Sequence, residues 1–105
     1  MKFRSNNCVA VYVPDLKKAE TFYSSVMGFR LLEKTPVQLE YDTGRLLLYV
    51  NKAASVRPPI PSFSVIDASS AKAHLAQNGC EIIDDRGHSL YFKDPFGLVY
   101  DVIEE

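Results

Sequence analysis

Asp94-Pro95-Phe96-Gly97-Leu98-Val99-Tyr100-Asp101-Val102-Ile103-Glu104-Glu105 closes the chain. Its first four residues are turn chemistry: Asp94 can bond its own backbone two residues on, Pro95 pre-sets φ, and Gly97 allows φ > 0. Leu98 to Ile103 is apolar at every position but one and rich in β-branched and aromatic side chains, so it reads as a final strand. The exception is Asp101. On strand alternation it shares a face with Val99 and Ile103, opposite Tyr100 and Val102. A carboxylate in such a run is either exposed at an edge or held for a purpose.

Upstream, the same turn-and-strand grammar occurs a second time. Asp42-Thr43-Gly44 turns into Arg45 to Val50, a strand, just as Asp94 to Gly97 turns into the last one. Asp15 caps a helix running to about Met27, and Gly28 stops it; Asp67 caps a helix over Ala68 to Asn78, and Gly79 stops that one. Asp15 and Asp67 are 52 residues apart, as are Asp42 and Asp94; Gly28 and Gly79 are 51 apart, Gly44 and Gly97 are 53 apart. Landmarks held in register over half a chain mark an internal repeat.

Each copy is strand, helix, three strands. The first comprises strands at Asn7–Val13, Phe29–Lys34, Val37–Tyr41 and Arg45–Val50; the second, strands at Ser62–Ile66, Cys80–Asp84, Ser89–Lys93 and Leu98–Ile103. In the first helix Leu16, Ala19, Phe22, Tyr23, Val26 and Met27 fall at helical spacing; in the second Ala71, Leu75 and Asn78 do. Residues 51–61, with Pro58-Pro59, read as the linker between unit one (6–50) and unit two (62–105). The expected fold is α+β: one domain of two tandem βαβββ units whose strands form a curved mixed sheet around a concave cleft.

Composition narrows the function classes. The chain has 105 residues, 47% of them apolar and 24% charged, with a net charge of −1. It has no basic run, so it lacks the electrostatic footprint of a nucleic-acid or acidic-membrane binder. No apolar run nears the ~18 residues that would span a bilayer, and no signal core follows Met1, so a cytoplasmic location is expected. Cys8 and Cys80 lie far apart with no CxxC spacing, and a disulfide between them, though geometrically possible, is not expected in a reducing compartment. Cys8 and Cys80 read as buried or boundary thiols, and His74 and His88 as surface residues, with a rim contact to ligand open for His88.

Tyr12-Val13-Pro14-Asp15-Leu16, Thr21-Phe22-Tyr23, Met27-Gly28-Phe29 and Lys93-Asp94-Pro95-Phe96-Gly97, set in paired βαβββ units, resemble the vicinal oxygen chelate superfamily. Glyoxalase I, bleomycin and fosfomycin resistance proteins and extradiol dioxygenases belong to it. The resemblance covers nearly the whole chain. It implies four strand positions that in metal-dependent members hold a divalent ion through His and Glu. Carried over, these fall at Cys8, at Leu48 or its neighbour Tyr49, near Pro61, and at Asp101. Leu and Pro offer no donor, and Cys with Asp is a mismatched soft–hard pair. The pattern therefore argues against metal-dependent catalysis and for no metal and no cofactor.

Period two places Cys8, Ala10 and Tyr12 on one strand face and Leu46 with Leu48 on another. With Val99 and Asp101 they are the candidate cleft-lining residues: apolar and aromatic, with one acid, suited to a flat or greasy organic molecule. The expected function is metal-independent small-molecule binding, in the manner of a drug-sequestering resistance protein, in a homodimer with no nucleic-acid or membrane partner. The alternative is a glyoxalase- or dioxygenase-type enzyme with an atypical metal site. Asp101 itself reads three ways: remnant of a metal site, ligand-contacting acid, or partly solvated structural acid.

Overall fold

The computed structural model describes residues 1–105. Its elements are β1 (Arg4–Val13), α1 (Leu16–Glu20) continued by a π-helical segment (Thr21–Val26), β2 (Arg30–Lys34), β3 (Gln38–Asp42), β4 (Leu47–Lys52), β5 (Arg57–Val65), α2 (Ala68–Gln77), β6 (Glu81–Asp85), β7 (Ser89–Lys93) and β8 (Val99–Glu104). The architecture is α+β, and the chain separates into two compact units: Asn7–Pro59, and Ile60–Glu105 joined by Met1–Asn6. No helix is long and apolar enough to cross a membrane.

Each unit shows the same wiring. In the first the strand order is β2-β3-β4-β1; in the second it is β6-β7-β8-β5. The β2-β3-β4 and β6-β7-β8 ladders are antiparallel, while β1 runs parallel to β4 and β5 parallel to β8. Even the irregularities recur: the ladder shifts register between Leu31 and Glu33 in one unit and between Ile82 and Asp84 in the other.

The helices start as their sequence dictates. Asp15 accepts from the Lys18 amide, and Asp67 from the Ser69 and Ser70 amides, so each helix start has its first free amides capped. Under α2, Ala71 and Leu75 pack on Val65, Leu90, Phe92 and Val102. Asn78 does not join them: it is the exposed C-cap, and its side-chain amide donates to the His74 carbonyl. Under α1, Ala19 packs on Leu39, Tyr41 and Val50, with Val11, Val13, Leu16, Tyr23 and Leu48 at the margin.

The first helix departs from its expected periodicity. Leu16, Ala19 and Tyr23 turn inward, but Phe22, Val26 and Met27 are exposed. For Val26 and Met27 the cause is the π segment, where the Met27 amide donates to the Phe22 carbonyl five residues back. Asp15 to Gly28 is one residue longer than Asp67 to Gly79. That extra residue is taken up as one widened turn.

Two boundaries are corrected. Residues 57–61 are not linker: they open β5, and Pro58, Pro59 and Pro61 all lie in that strand. The ladder with β8 begins only at Ser62, so the missing proline amides remove no bond from it. The strand expected at Arg45–Val50 begins at Leu47, because Thr43 donates to the Leu46 carbonyl and closes a longer turn. The Asp94 turn matches its reading: Asp94 Oδ1 accepts from the Phe96 and Leu98 amides, and Gly97 sits at φ 92°.

Candidate functional site

Strand β8 sends Val102 into the cluster beneath α2 and turns Asp101 to the opposite sheet face. Register sets Ser62 of β5 on one side of Asp101 and Tyr91 of β7 on the other. The Ser62 hydroxyl donates to Asp101 Oδ2 at 3.2 Å and accepts from the Asn6 side-chain amide at 2.8 Å. Ser62 is buried, so this relay is shielded from water and fixes the carboxyl. The Arg86 guanidinium lies 5.0 Å over the Tyr91 ring and is ion-paired to Asp84 at 2.9 Å.

Burial pushes the Asp101 carboxyl above its ordinary 3.8; the Ser62 hydroxyl, the Arg86 charge and the Val102 amide oppose the shift without cancelling it. A carboxyl in that condition is poised to gain from a partner that donates a hydrogen bond to it. Beside it, Tyr91 backed by Arg86 offers an aromatic surface with an apolar face.

The first unit carries its own version of this face. Cys8, Ala10 and Tyr12 lie in register with Leu47, Tyr49 and Asn51, and Glu40 pairs with Tyr49 across the β3-β4 ladder. Burial first, then the Glu40 carboxylate, pushes Tyr49 above its ordinary 10.0. Gln38 bonds Asn51 at 2.7 Å, and the Arg57 guanidinium covers the Tyr12 ring at 4.3 Å.

Of the expected lining residues, Cys8, Ala10 and Tyr12 share one strand face, and Val99 and Asp101 share another in the second unit. Leu48 is corrected: it packs with Val50 into the cluster beneath α1, and Tyr49 takes the place that corresponds to Asp101. Leu46 is corrected as well, being an exposed turn residue ahead of β4. Ser62, rather than Pro61, stands beside Asp101. Ser62, Asn6, Tyr91 and Arg86 escaped the sequence reading. Period-two counting back from Asp101 finds Val99, but the cross-strand partners need the ladder register.

The four inherited metal positions do not fit a divalent ion. Leu48 and Pro61 have no donor atom, and in their stead stand Tyr49 and Ser62, neutral hydroxyls, the latter already bonded to Asp101. No three His, Cys, Asp or Glu side chains gather as a metal-holding group.

The sequence model of the Glyoxalase/Bleomycin resistance protein/Dioxygenase superfamily matches residues 6–102, and the chain belongs to that superfamily. No curated protein matches it in sequence. Among solved structures it is similar to hypothetical protein BH1468 from Bacillus halodurans C-125, with a TM-score of 0.74 and 15% identity over 100% of this chain and 96% of that one. It is also similar to homoprotocatechuate 2,3-dioxygenase from Brevibacterium fuscum in complex with 3,4-dihydroxyphenylacetate, with a TM-score of 0.76 and 20% identity. That match covers 99% of this chain but 37% of the dioxygenase, so the chain spans little more than a third of that enzyme. A third likeness is to a chain described as NAD-dependent benzaldehyde dehydrogenase from Legionella pneumophila, with a TM-score of 0.72 and 19% identity over 91% of this chain and 96% of that one. At these identities the likenesses show a shared fold.

Proposed function

We propose that the protein binds a small apolar or aromatic organic molecule without a metal ion, and holds it rather than transforms it. The observation that supports this reading is the Asp101 carboxyl, fixed by Ser62 and Asn6 beside the Tyr91 ring, where two inherited metal positions carry no donor. The aromatic surface supplies contact area, and Asp101 accepts a hydrogen bond that orients the ligand. We also propose a homodimer, for which the exposed Ile66, Phe96 and Leu98 of the second unit are the support. We propose a cytoplasmic location as well, with which the lack of a CxxC spacing between Cys8 and Cys80 accords.

Mass spectrometry of the protein purified under native conditions tests the reading, with elemental analysis on the same sample. The expected result is an organic adduct, lost in Asp101→Asn, with far less than one equivalent of metal. Close to one metal ion per chain, removed by Asp101→Ala, overturns it in favour of a metal-dependent enzyme.

A further inference from the structure

A groove of about 460 Å³ opens on the helix side of the first unit, away from the strand face of Cys8, Ala10 and Tyr12. That volume lies within the range of roughly 300–1,000 Å³ typical of small-ligand pockets. Val13 and Ala19 line it, with Val56 among its exposed apolar residues. Its aromatic wall is Phe22 and Tyr23, set edge to face with centroids 5.2 Å apart and planes at 78°.

This wall sits at the start of the π segment. Phe22 lies at the surface, 44% exposed, while Tyr23 is half-buried. Tyr23 is held by a stacked Phe29 at 6.4 Å and a tilted Tyr41 at 5.9 Å. A flat ring entering the corner can stack on one aromatic and meet the edge of the other, both of them favoured aromatic geometries.

Charge chooses the polar end of the occupant. Asp15 also lines the groove, but its Oδ1 is committed to the Lys18 amide as the helix cap. The Lys18 ammonium makes no ion pair, whereas Lys34 on β2 is paired with Glu20. An apolar slot lined by Lys18, whose ammonium makes no ion pair, fits an anion on an aromatic body.

The fold does not require any of this. Counted from the capping Asp67, the positions matching Lys18, Phe22 and Tyr23 in α2 are Ser70, His74 and Leu75, and α2 has no π turn. We infer that the groove formed by Phe22, Tyr23, Val56 and Lys18 is a binding site for a small aromatic carboxylate, separate from the Asp101 face.

The test is an amide NMR titration of the full chain with 2-naphthoate, alongside its neutral isostere 2-naphthylmethanol. Saturable shifts confined to residues 13–27 and 56 are expected. Phe22→Ala should weaken naphthoate roughly tenfold, the loss of one aromatic contact with its buried area. Lys18→Met should weaken naphthoate while leaving naphthylmethanol unchanged. If Phe22→Ala does not fold, Lys18→Met decides alone, since Lys18 is exposed. The inference fails if there is no saturable shift at millimolar naphthoate or if both probes respond alike to Lys18→Met. It fails too if the shifts centre on Ser62, Tyr91 and Asp101, or if Phe22→Ala turns a dimer into a monomer, which would make a second copy the occupant.

Discussion

Tyr49 and Asp101 hold the same position in the two units: each is the third residue of its closing strand, on the sheet face away from the helix. Across the ladder Tyr49 meets Glu40, and Asp101 meets Tyr91. The repeat therefore keeps an acid beside a tyrosine but exchanges which strand carries which. An acid on the closing strand reaches the β5 hydroxyl of Ser62, whereas Tyr49 lies beside Ala10, which has nothing to offer it. The exchange makes the two faces chemically different while the backbone stays the same.

Asp101→Asn is expected to fold and to melt higher than the parent at neutral pH. Asn keeps an acceptor for Ser62 and sheds a charge that burial disfavours. The sign follows from the raised folded-state pKa: Asp101's contribution to stability is full below 3.8 and is lost as pH rises through the folded value. The gap in melting temperature should accordingly shrink below that pH. A variant that melts much lower at neutral pH would make Asp101 a structural acid instead.

Glu104 works in the opposite direction. The Ala68 amide and then His88 hold its carboxyl below the ordinary 4.5, so its contribution is present above that value and is lost as pH falls through the lower folded one. Acid melts of Glu104→Gln should therefore fall less steeply below 4.5 than those of the parent. Parallel acid limbs for the two proteins would refute the linkage.

Tyr41 is fully buried, and its hydroxyl meets Ser24 Oγ at 2.7 Å. Tyr41→Phe leaves Ser24 without that partner and should cost about 1 kcal/mol. Tyr41→Ala also opens a cavity beneath α1 and should cost about 3–5 kcal/mol. Denaturant melts that rank the two variants equally would show that the cluster tolerates losing the ring.

Light scattering of the purified protein at tens of micromolar should give twice the chain mass of 11.8 kDa. A monomer mass refutes the dimer.

The repeat was legible because its landmarks are local chemistry. A capping Asp, a stopping Gly and an Asp-Pro-x-Gly turn each act within a few residues, so their spacing survives in the bare sequence. What escaped depended on partners distant in the chain. Counting four residues on from Gly44, as Asp101 follows Gly97, lands on Leu48 rather than Tyr49, because the two turns differ in length by one residue, enough to reverse which side chain faces which way. Pro58 and Pro59 read as linker because a proline weakens a strand from within; here they precede the ladder with β8 and take no bond from it. Ser62 carries no signal of its own until register sets it beside Asp101.

An inserted residue in a regular helix turns everything after it by about 100°. In the first unit that rotation would have misdirected the chain as it enters β2. The π turn of Thr21–Val26 works as an expansion joint: the insertion is swallowed within one turn, and Gly28 still delivers the chain to β2 as Gly79 delivers it to β6. Length changes between the two copies are thus confined to the surface of a single turn, where new side chains can be tried without re-threading the sheet. Deleting Ser25 should erase the joint, leaving a plain α-helix of the second unit's length and the same strand order behind it.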